Sequence, residues 1–207
     1  NKKIMTIRLR RRNTFGLVAA CVLGIATSSA AHAAQSASDF VRDPGNHLVA
    51  IVNGDATPVQ KKAQVLPLLQ QDVDIDVIAR FCLGRYWNVA TPEQRTEYLQ
   101  LFHQVLVNSV TDKLGDYRGV HFTIGATEKL NEGTQGVDAV LSRPQQPDAR
   151  MQWIVTPAGD TYKVVDLIGE GASLRLTQRQ DYASYIAHNG GKVDALIAAL
   201  KRQVAQH

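Results

Sequence analysis

The stretch that decides the fold is Cys82–Phe102, CLGRYWNVATPEQRTEYLQLF, in which an aromatic segment is followed by a break and a capped amphipathic helix. Thr91 provides an N-cap oxygen, Pro92 suits the first helical turn and Gln94 completes a capping box. The pattern therefore predicts a helix that begins at Thr91. Beyond it, apolar residues recur at spacings of three and four, so one side of this helix is predicted to be buried.

Three helices are predicted upstream of this stretch. A capping Asp or Thr marks three helix starts: Asp43, where the first helix is expected to restart, Thr57 and Asp74. Pro44 is expected to interrupt the first helix, and Pro67 is expected to bend or end the second. The predicted ranges are residues 36–53, 57 to about 71, and 75–86.

Downstream, from residue 119, the apolar period changes to two, which is typical of half-buried antiparallel strands. The fourth strand is apolar on both faces, which predicts a position inside the sheet with apolar cover on each side. Helices cover one face of this strand, and the other face is covered either by more protein or by a bound ligand. The predicted strands are residues 120–124, 137–142, 150–156 and 162–168, followed by helices over 177–187 and 192–204.

The order of helices, strands and helices predicts an α+β domain. We expect helices packed around a highly twisted antiparallel sheet of about four strands. Without its N-terminal segment, Asn1–Ala33, the chain keeps enough length for one domain with a substantial core, and too little for two.

The segment Asn1–Ala33 has the pattern of an export signal. Four arginines between positions 8 and 12 precede an apolar segment, Phe15–Ala26, and Ala31-His32-Ala33 is a small-x-small cleavage site. We predict cleavage after Ala33 and a mature domain of residues 34–207. The apolar segment is shorter than the roughly 20 residues of a membrane span, and no later segment could span a bilayer. An alternative is a lipoprotein signal in which Cys21 is lipidated.

The charge of the chain depends on this segment. Asn1–Ala33 carries six basic residues and no acid, so removing it changes the formal net charge from +4 to −2. A slightly acidic chain without a dense basic run has no electrostatic basis for binding nucleic acid. Cys82 is then the one remaining cysteine, so no internal disulfide is possible.

Enzyme motifs are absent from the sequence. It contains no Gly-x-Ser-x-Gly elbow, phosphate-binding glycine loop, dinucleotide fingerprint, Cys-x-x-Cys pair or His-Glu-x-x-His. The histidines after Ala33 are scattered, so we predict neither a metal site nor a cofactor. One alternative stays open: Asp166 lies in an apolar strand, where burial would raise its pKa and suit a general base.

A second block of sequence complements the first. It comprises Val164-Val165-Asp166, then Glu170-Gly171-Ala172-Ser173-Leu174, Thr177-Gln178-Arg179, Asp181-Tyr182 and Gly190-Gly191. In order, spacing and residue type the two blocks resemble the MlaC-like family, also called the toluene-tolerance family. The resemblance extends from about Phe40 to the C-terminus.

The resemblance implies a function and a cellular location. Members of this family are periplasmic carriers that exchange phospholipid between an outer-membrane lipoprotein complex and an inner-membrane ABC transporter complex. A related, hopanoid-associated branch, HpnM-like, would hold or move a triterpenoid instead. The family also implies a cone-like arrangement similar to NTF2-like folds, and no enzyme activity.

Candidate lipid-contacting residues follow from the apolar faces of the predicted helices and strands. We expect acyl chains to lie between the sheet and the helices, with the headgroup near the mouth of a cavity, where Arg85 or Arg179 could assist. The predicted lining consists of Val77, Phe81, Tyr86, Leu106, Val110, Phe122, Leu141, Trp153, Val155 and Leu174.

Two alternatives to a carrier stay open on the sequence alone. Cone-like α+β folds also host small enzymes, and in that case Asp166 would be the base. A scaffold that docks transport machinery without binding lipid is the other.

Overall fold

The structure, a computed structural model, describes residues 35–206, and at residues 115 and 116 it describes the backbone only. The predicted export signal and Cys21 lie outside the described residues. That part of the chain contains seven α-helices and one sheet. The helices are α1 Ala37–Asn53, α2 Pro58–Asp72, α3 Ile75–Leu83, α4 Tyr86–Val89, α5 Pro92–Thr111, α6 Leu174–His188 and α7 Val193–Val204, with short 3₁₀ turns at Leu114–Tyr117 and Asn131–Gly133.

The sheet is antiparallel, and its strands follow chain order. The α+β class predicted from the sequence is therefore confirmed. The described sheet has a fifth strand that the sequence pattern did not reveal, because two residues are too few to show alternation. The strands are β1 His121–Lys129, β2 Gln135–Ser142, β3 Ala149–Ala158, β4 Thr161–Gly169 and β5 Ala172–Ser173.

The predicted helix caps at Thr57, Asp74 and Thr91 are confirmed. The hydroxyls of Thr57 and Thr91 each accept a hydrogen bond from the backbone N–H three residues on. The residue there is a Gln in both cases, and its side-chain oxygen accepts a hydrogen bond from the backbone N–H of the Thr, which completes a capping box. Asp74 accepts a hydrogen bond from the backbone N–H of Val77. These caps satisfy helix N–H groups that would otherwise lack partners.

The Thr91 cap leads to a stability prediction. We expect Thr91→Ala to lower the free energy of unfolding by about 1 kcal/mol, because the first turn of α5 loses its capping acceptor. Urea denaturation followed by circular dichroism measures this change. The exposed Gln100→Ala on the same helix is the control, and a change as large in the control would contradict the cap argument.

The first two helices have nearly the predicted bounds, but two internal prolines and the end of the third helix differ from the sequence predictions. α1 is continuous through Pro44, since its packing against the sheet through Phe40 and Val41 compensates for the missing hydrogen bond. The predicted 75–86 helix ends at Leu83, because Gly84 adopts a positive φ of 58°. Likewise, α2 continues through Pro67 to Asp72.

The start of α6 also differs from its prediction. The helix begins at Leu174, three residues before the predicted Thr177 cap. Ser173 is the N-cap instead, and its hydroxyl accepts a hydrogen bond from the backbone N–H of Leu176. Ser173 is itself held by Asp166, a long-range contact that local capping patterns do not reveal.

The buried residues form three clusters. One joins α3, α5, α6 and α7 around Tyr98, whose hydroxyl donates a 2.7 Å hydrogen bond to the carbonyl of Ala79. A second joins the N-terminal half of α1 to β2 and β3. A third joins α1, α2 and the segment that leads into β1. Between the second and third clusters, α1, α2 and α5 stand over the sheet without filling the space against it.

Candidate functional site

A cavity of about 400 Å³ lies between the sheet and helices α1, α2 and α5. Its walls are almost entirely apolar. The volume falls within the range of about 300–1,000 Å³ that is usual for small-molecule sites. The apolar lining consists of Phe40, Val41, Pro44, Gly45, Leu48, Val49, Val52, Val65, Leu68, Leu69, Val73, Val110, Leu114, Val120, Phe122, Leu141, Met151, Trp153, Val164, Leu167 and Leu174, with Tyr117 beside them.

The helix wall follows from helical periodicity. Phe40, Pro44, Leu48 and Val52 recur every four residues along α1 and line the cavity together. Residues four apart lie on one face of a helix, one turn above another. Two further helices complete this wall, α2 and the C-terminal end of α5.

The sheet wall follows from strand register. Phe122 pairs with Leu141 across β1 and β2, and Trp153 pairs with Leu167 across β3 and β4. Opposed residues in an antiparallel sheet point to the same face, so these four side chains form one surface. A register shift between β3 and β4 accounts for Val164 on the same wall, three residues before Leu167.

At Gly45, α1 lies very close to this wall. A Cβ atom added there would overlap the ring of Phe122, which lines the cavity. A larger residue at 45 must therefore push the Phe122 ring into the cavity or move α1 away from β1. The close approach depends on glycine at this position.

This contact predicts that Gly45→Ala reduces ligand occupancy. Alanine is intrinsically the better helix former by about 1 kcal/mol, so helix propensity cannot cause a loss, whereas overpacking costs about 1–3 kcal/mol. Native mass spectrometry of the purified protein measures the ligand bound per chain. The exposed neighbour Asn46→Ala is the control, and Gly45→Ala with Phe122→Leu should restore occupancy; unchanged occupancy in Gly45→Ala would contradict the prediction.

Half of the lining residues predicted from the sequence are in the cavity wall. They come from two helices, α5 and α6, and from strands β1, β2 and β3. They are Val110, Phe122, Leu141, Trp153 and Leu174.

The other five lie elsewhere. Val77 is 43% exposed on α3, and Phe81 lies beneath two arginines of α6. Tyr86 and Leu106 belong to the cluster of α3, α5, α6 and α7. Val155 is fully buried under the N-terminal part of α1. Periodicity identified these positions as inward-facing, but it cannot distinguish a packed core layer from a cavity wall.

Arg85 and Arg179 do not line the cavity. Arg85 donates a 3.0 Å hydrogen bond to the hydroxyl of Tyr86, and the guanidinium carbon of Arg179 lies 5.0 Å from the centre of the Phe81 ring. The charged groups in the cavity lining are instead Asp72 and Lys113. Both were missed because each is a single polar residue beside an apolar helical face. Asp72 ends α2, four residues after Leu68, and Lys113 lies in the turn after α5, three residues after Val110.

The rim of the cavity contains its polar and exposed residues. Ser109, Lys113 and Leu174 are exposed as well as lining, so they mark places where the cavity meets solvent. Burial raises the pKa of the Asp72 carboxyl, and the nearby positive charge of Lys163 partly opposes that shift. A ligand with a long apolar part and a polar end matches this distribution.

Asp166 does not line the cavity. Its side chain is buried, and both carboxylate oxygens are engaged. One accepts hydrogen bonds from the backbone N–H groups of Leu167 at 2.8 Å and Arg175 at 3.2 Å. The other accepts one from the Ser173 hydroxyl at 2.5 Å and lies 3.4 Å from Nε of Arg175. Asp166 thus joins β4, β5 and the start of α6.

Cys82 is also a structural residue. Its thiol is buried and donates toward the carbonyl of Arg175 at 3.5 Å. Burial, together with the charge of Asp166, raises the pKa of Cys82 to about 12. A thiol with so high a pKa is not a nucleophile at neutral pH.

The described part of the chain contains neither a cluster of metal-binding side chains nor a membrane-spanning helix. Residues 35–206 contain no group of three or more His, Cys, Asp or Glu side chains arranged to hold a metal ion. None of the helices in this range is long and apolar enough to cross a membrane.

The fold and the cavity define a class of protein, an α+β domain that encloses an apolar space between its sheet and its helices. The family model described as MlaC protein matches residues 46–202, about three quarters of the chain. The chain therefore belongs to the MlaC family, as the sequence motifs indicated.

A solved structure is similar to this one over most of the chain. It is that of the phospholipid-binding protein from Ralstonia solanacearum in complex with a phospholipid. The two superpose with a TM-score of 0.72 at 21% sequence identity, and the match covers 83% of this chain and 98% of that chain. The two proteins share the fold.

Proposed function

We propose that this chain is a periplasmic lipid carrier that binds a phospholipid in the cavity between the sheet and the helices. The observation that carries the proposal is the apolar cavity of about 400 Å³, bordered by a few polar groups where it meets solvent. Two further findings support it: the chain belongs to the MlaC family, and a protein with the same fold holds a phospholipid.

The physical need for such a carrier is large. A two-chain lipid in water exposes on the order of 30 methylene groups at about 0.8 kcal/mol each, so unassisted transfer faces a barrier of about 20 kcal/mol or more. A cavity that replaces water around the chains lowers this barrier and needs neither a cofactor nor chemical change in the lipid.

In the proposed complex, the acyl chains contact the wall formed by Phe122, Leu141 and Trp153. The headgroup stays at the rim, where Lys113 supplies a positive charge for the phosphate. This arrangement leaves Arg85 and Arg179 outside the cargo site, in contrast to the expectation from the sequence.

We further propose that the mature domain, residues 34–207, exchanges its lipid with an outer-membrane lipoprotein complex and an inner-membrane ABC transporter complex. The export-signal pattern of Asn1–Ala33 and membership of the MlaC family support this route. A triterpenoid of the hopanoid class is the alternative ligand.

An enzyme is the weaker hypothesis. The candidate base, Asp166, is outside the cavity, and both of its oxygens are occupied by structural partners. The cavity wall does not contain Asp166, and a binding and transport protein needs no reacting group there.

Native mass spectrometry of the protein purified from its own host tests the proposal. The expected result is about one lipid per chain, identified after extraction as a phospholipid. A triterpenoid in its place would support the alternative ligand, and protein that carries no lipid would contradict the carrier and favour the scaffold.

A further inference from the structure

Five arginines surround three aromatic rings on the surface formed by α3, α4 and the N-terminal parts of α5 and α6. We call this surface the arginine patch. It lies where the two sequence blocks that carry the family motifs meet. Its members are Arg80, Arg85, Arg95, Arg175 and Arg179.

Trp87 organises one half of the patch. The guanidinium carbons of Arg80 and Arg95 each lie 5.2 Å from the centre of the Trp87 ring. Arg95 is fixed further by a 2.8 Å hydrogen bond from its Nε–H to the carbonyl of Trp87. These contacts hold two positive charges, one from α3 and one from α5, close to the same ring.

Phe81 organises the other half. The guanidinium carbons of Arg175 and Arg179 lie 4.4 and 5.0 Å from the centre of the Phe81 ring. An arginine stacked on an aromatic ring is held by its face, which leaves N–H groups at the edge of the guanidinium free to bind oxyanions. The patch is therefore preorganised for carboxylate or phosphate oxygens.

Four of the five arginines in the patch have no carboxylate in ion-pair contact among the described residues. The fifth, Arg175, lies 3.4 Å from the carboxylate of Asp166. The nearest helices do carry acids, but Asp76 binds His103 and Glu97 binds Lys201. Glu93 and Asp181 are exposed without an ion pair in the described structure.

Exposed leucines adjoin the patch. Leu174 and Leu176 flank Arg175 and are 54% and 45% exposed. Leu174 also lines the cavity, so the patch is continuous with the cavity wall. Exposed large apolar side chains mark sites that contact a protein or a membrane, and a basic surface beside them suits a membrane that contains anionic lipids.

We propose that the arginine patch docks this chain on the surface of a phospholipid bilayer that contains anionic lipids. The arginines bind headgroup phosphates, and Leu174 and Leu176 enter the interface. Without residues 1–33 the formal net charge is −2, so this attraction comes from the patch and orients the chain. The two leucines favour a bilayer over an acidic protein surface, because they need an apolar phase.

This inference goes beyond the proposed cargo site, because it concerns an outer surface. It would bring the part of the cavity wall at Leu174 to the membrane. Lipid could then pass between bilayer and cavity with little exposure of its chains to water.

The test is sedimentation with vesicles, using the chain that begins at Ala34. Every described element and all three core clusters lie within the compact unit that starts there, and the basic N-terminal segment is excluded. One set of vesicles is phosphatidylcholine, and the other is equimolar phosphatidylcholine and phosphatidylglycerol. We expect binding to the anionic vesicles only, and weaker binding as salt rises, because exposed charges are screened over about 10 Å at 0.1 M.

The variant Arg80→Gln with Arg85→Gln should weaken binding on the order of 30-fold, because each basic residue near an anionic surface contributes about fivefold. Both side chains are exposed, so thermal unfolding should be unchanged. Arg118→Gln with Arg202→Gln is the matched control: it removes the same charge outside the patch and should bind like the wild type. Leu176→Ser should weaken binding without any change in charge.

Equal binding of the patch variant and the control would overturn the proposal, as would equal affinity for neutral and anionic vesicles. If neither kind of vesicle binds, a bilayer is the wrong occupant and an acidic protein surface takes its place. Lipid content, measured separately by mass spectrometry, tests the carrier function independently of this docking.

Discussion

Trp153→Glu is expected to abolish the lipid binding that we propose for this chain. The Trp153 side chain lies in the sheet wall of the cavity, where the surrounding groups are apolar. A carboxylate there would have to be buried against hydrocarbon without a partner, and an uncompensated buried charge costs several kcal/mol. A penalty of about 3 kcal/mol would lower affinity roughly hundredfold. Mass spectrometry of the purified protein measures the remaining lipid.

A second variant separates lipid loss from misfolding. Val110→Glu puts the same charge on the opposite wall, on α5, and should have the same effect. Trp153→Phe keeps the wall apolar and should retain lipid. Gln100→Glu is the matched control, because Gln100 lies exposed on the same helix as Val110. Equal lipid content in Trp153→Glu, Val110→Glu and Gln100→Glu would contradict the proposed cavity.

The local features of this fold were predictable from sequence because their causes are local. The capping boxes at Thr57 and Thr91 each depend on residues within one turn, and both form as predicted. The alternation in the strands depends on neighbouring residues as well, and it gave the antiparallel sheet. The order of helices and strands then gave the α+β class correctly.

Features that depend on distant contacts were not predictable in this way. The α6 helix starts at Leu174 because Asp166, on β4, holds the Ser173 cap. Val155 and Trp153 share a strand face, but only Trp153 borders the cavity, since α1 covers Val155. An apolar period shows that a residue points inward. It does not show whether that residue contacts a packed core or lines a cavity.

The arginines show the same limit for charged residues. From sequence, Arg179 was a candidate for the lipid headgroup, because it is a basic residue in a family motif. In the structure α6 packs beside α3, and this packing puts Arg179 over Phe81 and close to Gly84. A Cβ atom at Gly84 would meet the Arg179 side chain at 2.8 Å, so the glycine permits that approach. Neither the sequence block that contains Gly84 nor the block that contains Arg179 predicts this contact by itself.

Asp166→Ala is expected to lower the free energy of unfolding by about 3 kcal/mol. The change removes the acceptor for two backbone N–H groups and the Ser173 hydroxyl, and it leaves Arg175 without its ion-pair partner. Hydrogen bonds to charged groups contribute about 1.5–3 kcal/mol, and an orphaned buried donor adds its desolvation penalty. Urea denaturation should show a lower midpoint with an unchanged slope.

The same residue separates a carrier from an enzyme. Asp166→Asn keeps the shape of the side chain and should cost less stability than alanine, and the folded variant should keep its lipid because Asp166 is outside the cavity. An enzyme that used Asp166 as its base would lose turnover in that variant while still folding. Asp148→Ala, at an exposed position, is the stability control and should stay within about 0.5 kcal/mol of the wild type. Loss of lipid from well-folded Asp166→Asn protein would show that Asp166 contributes to the ligand site directly.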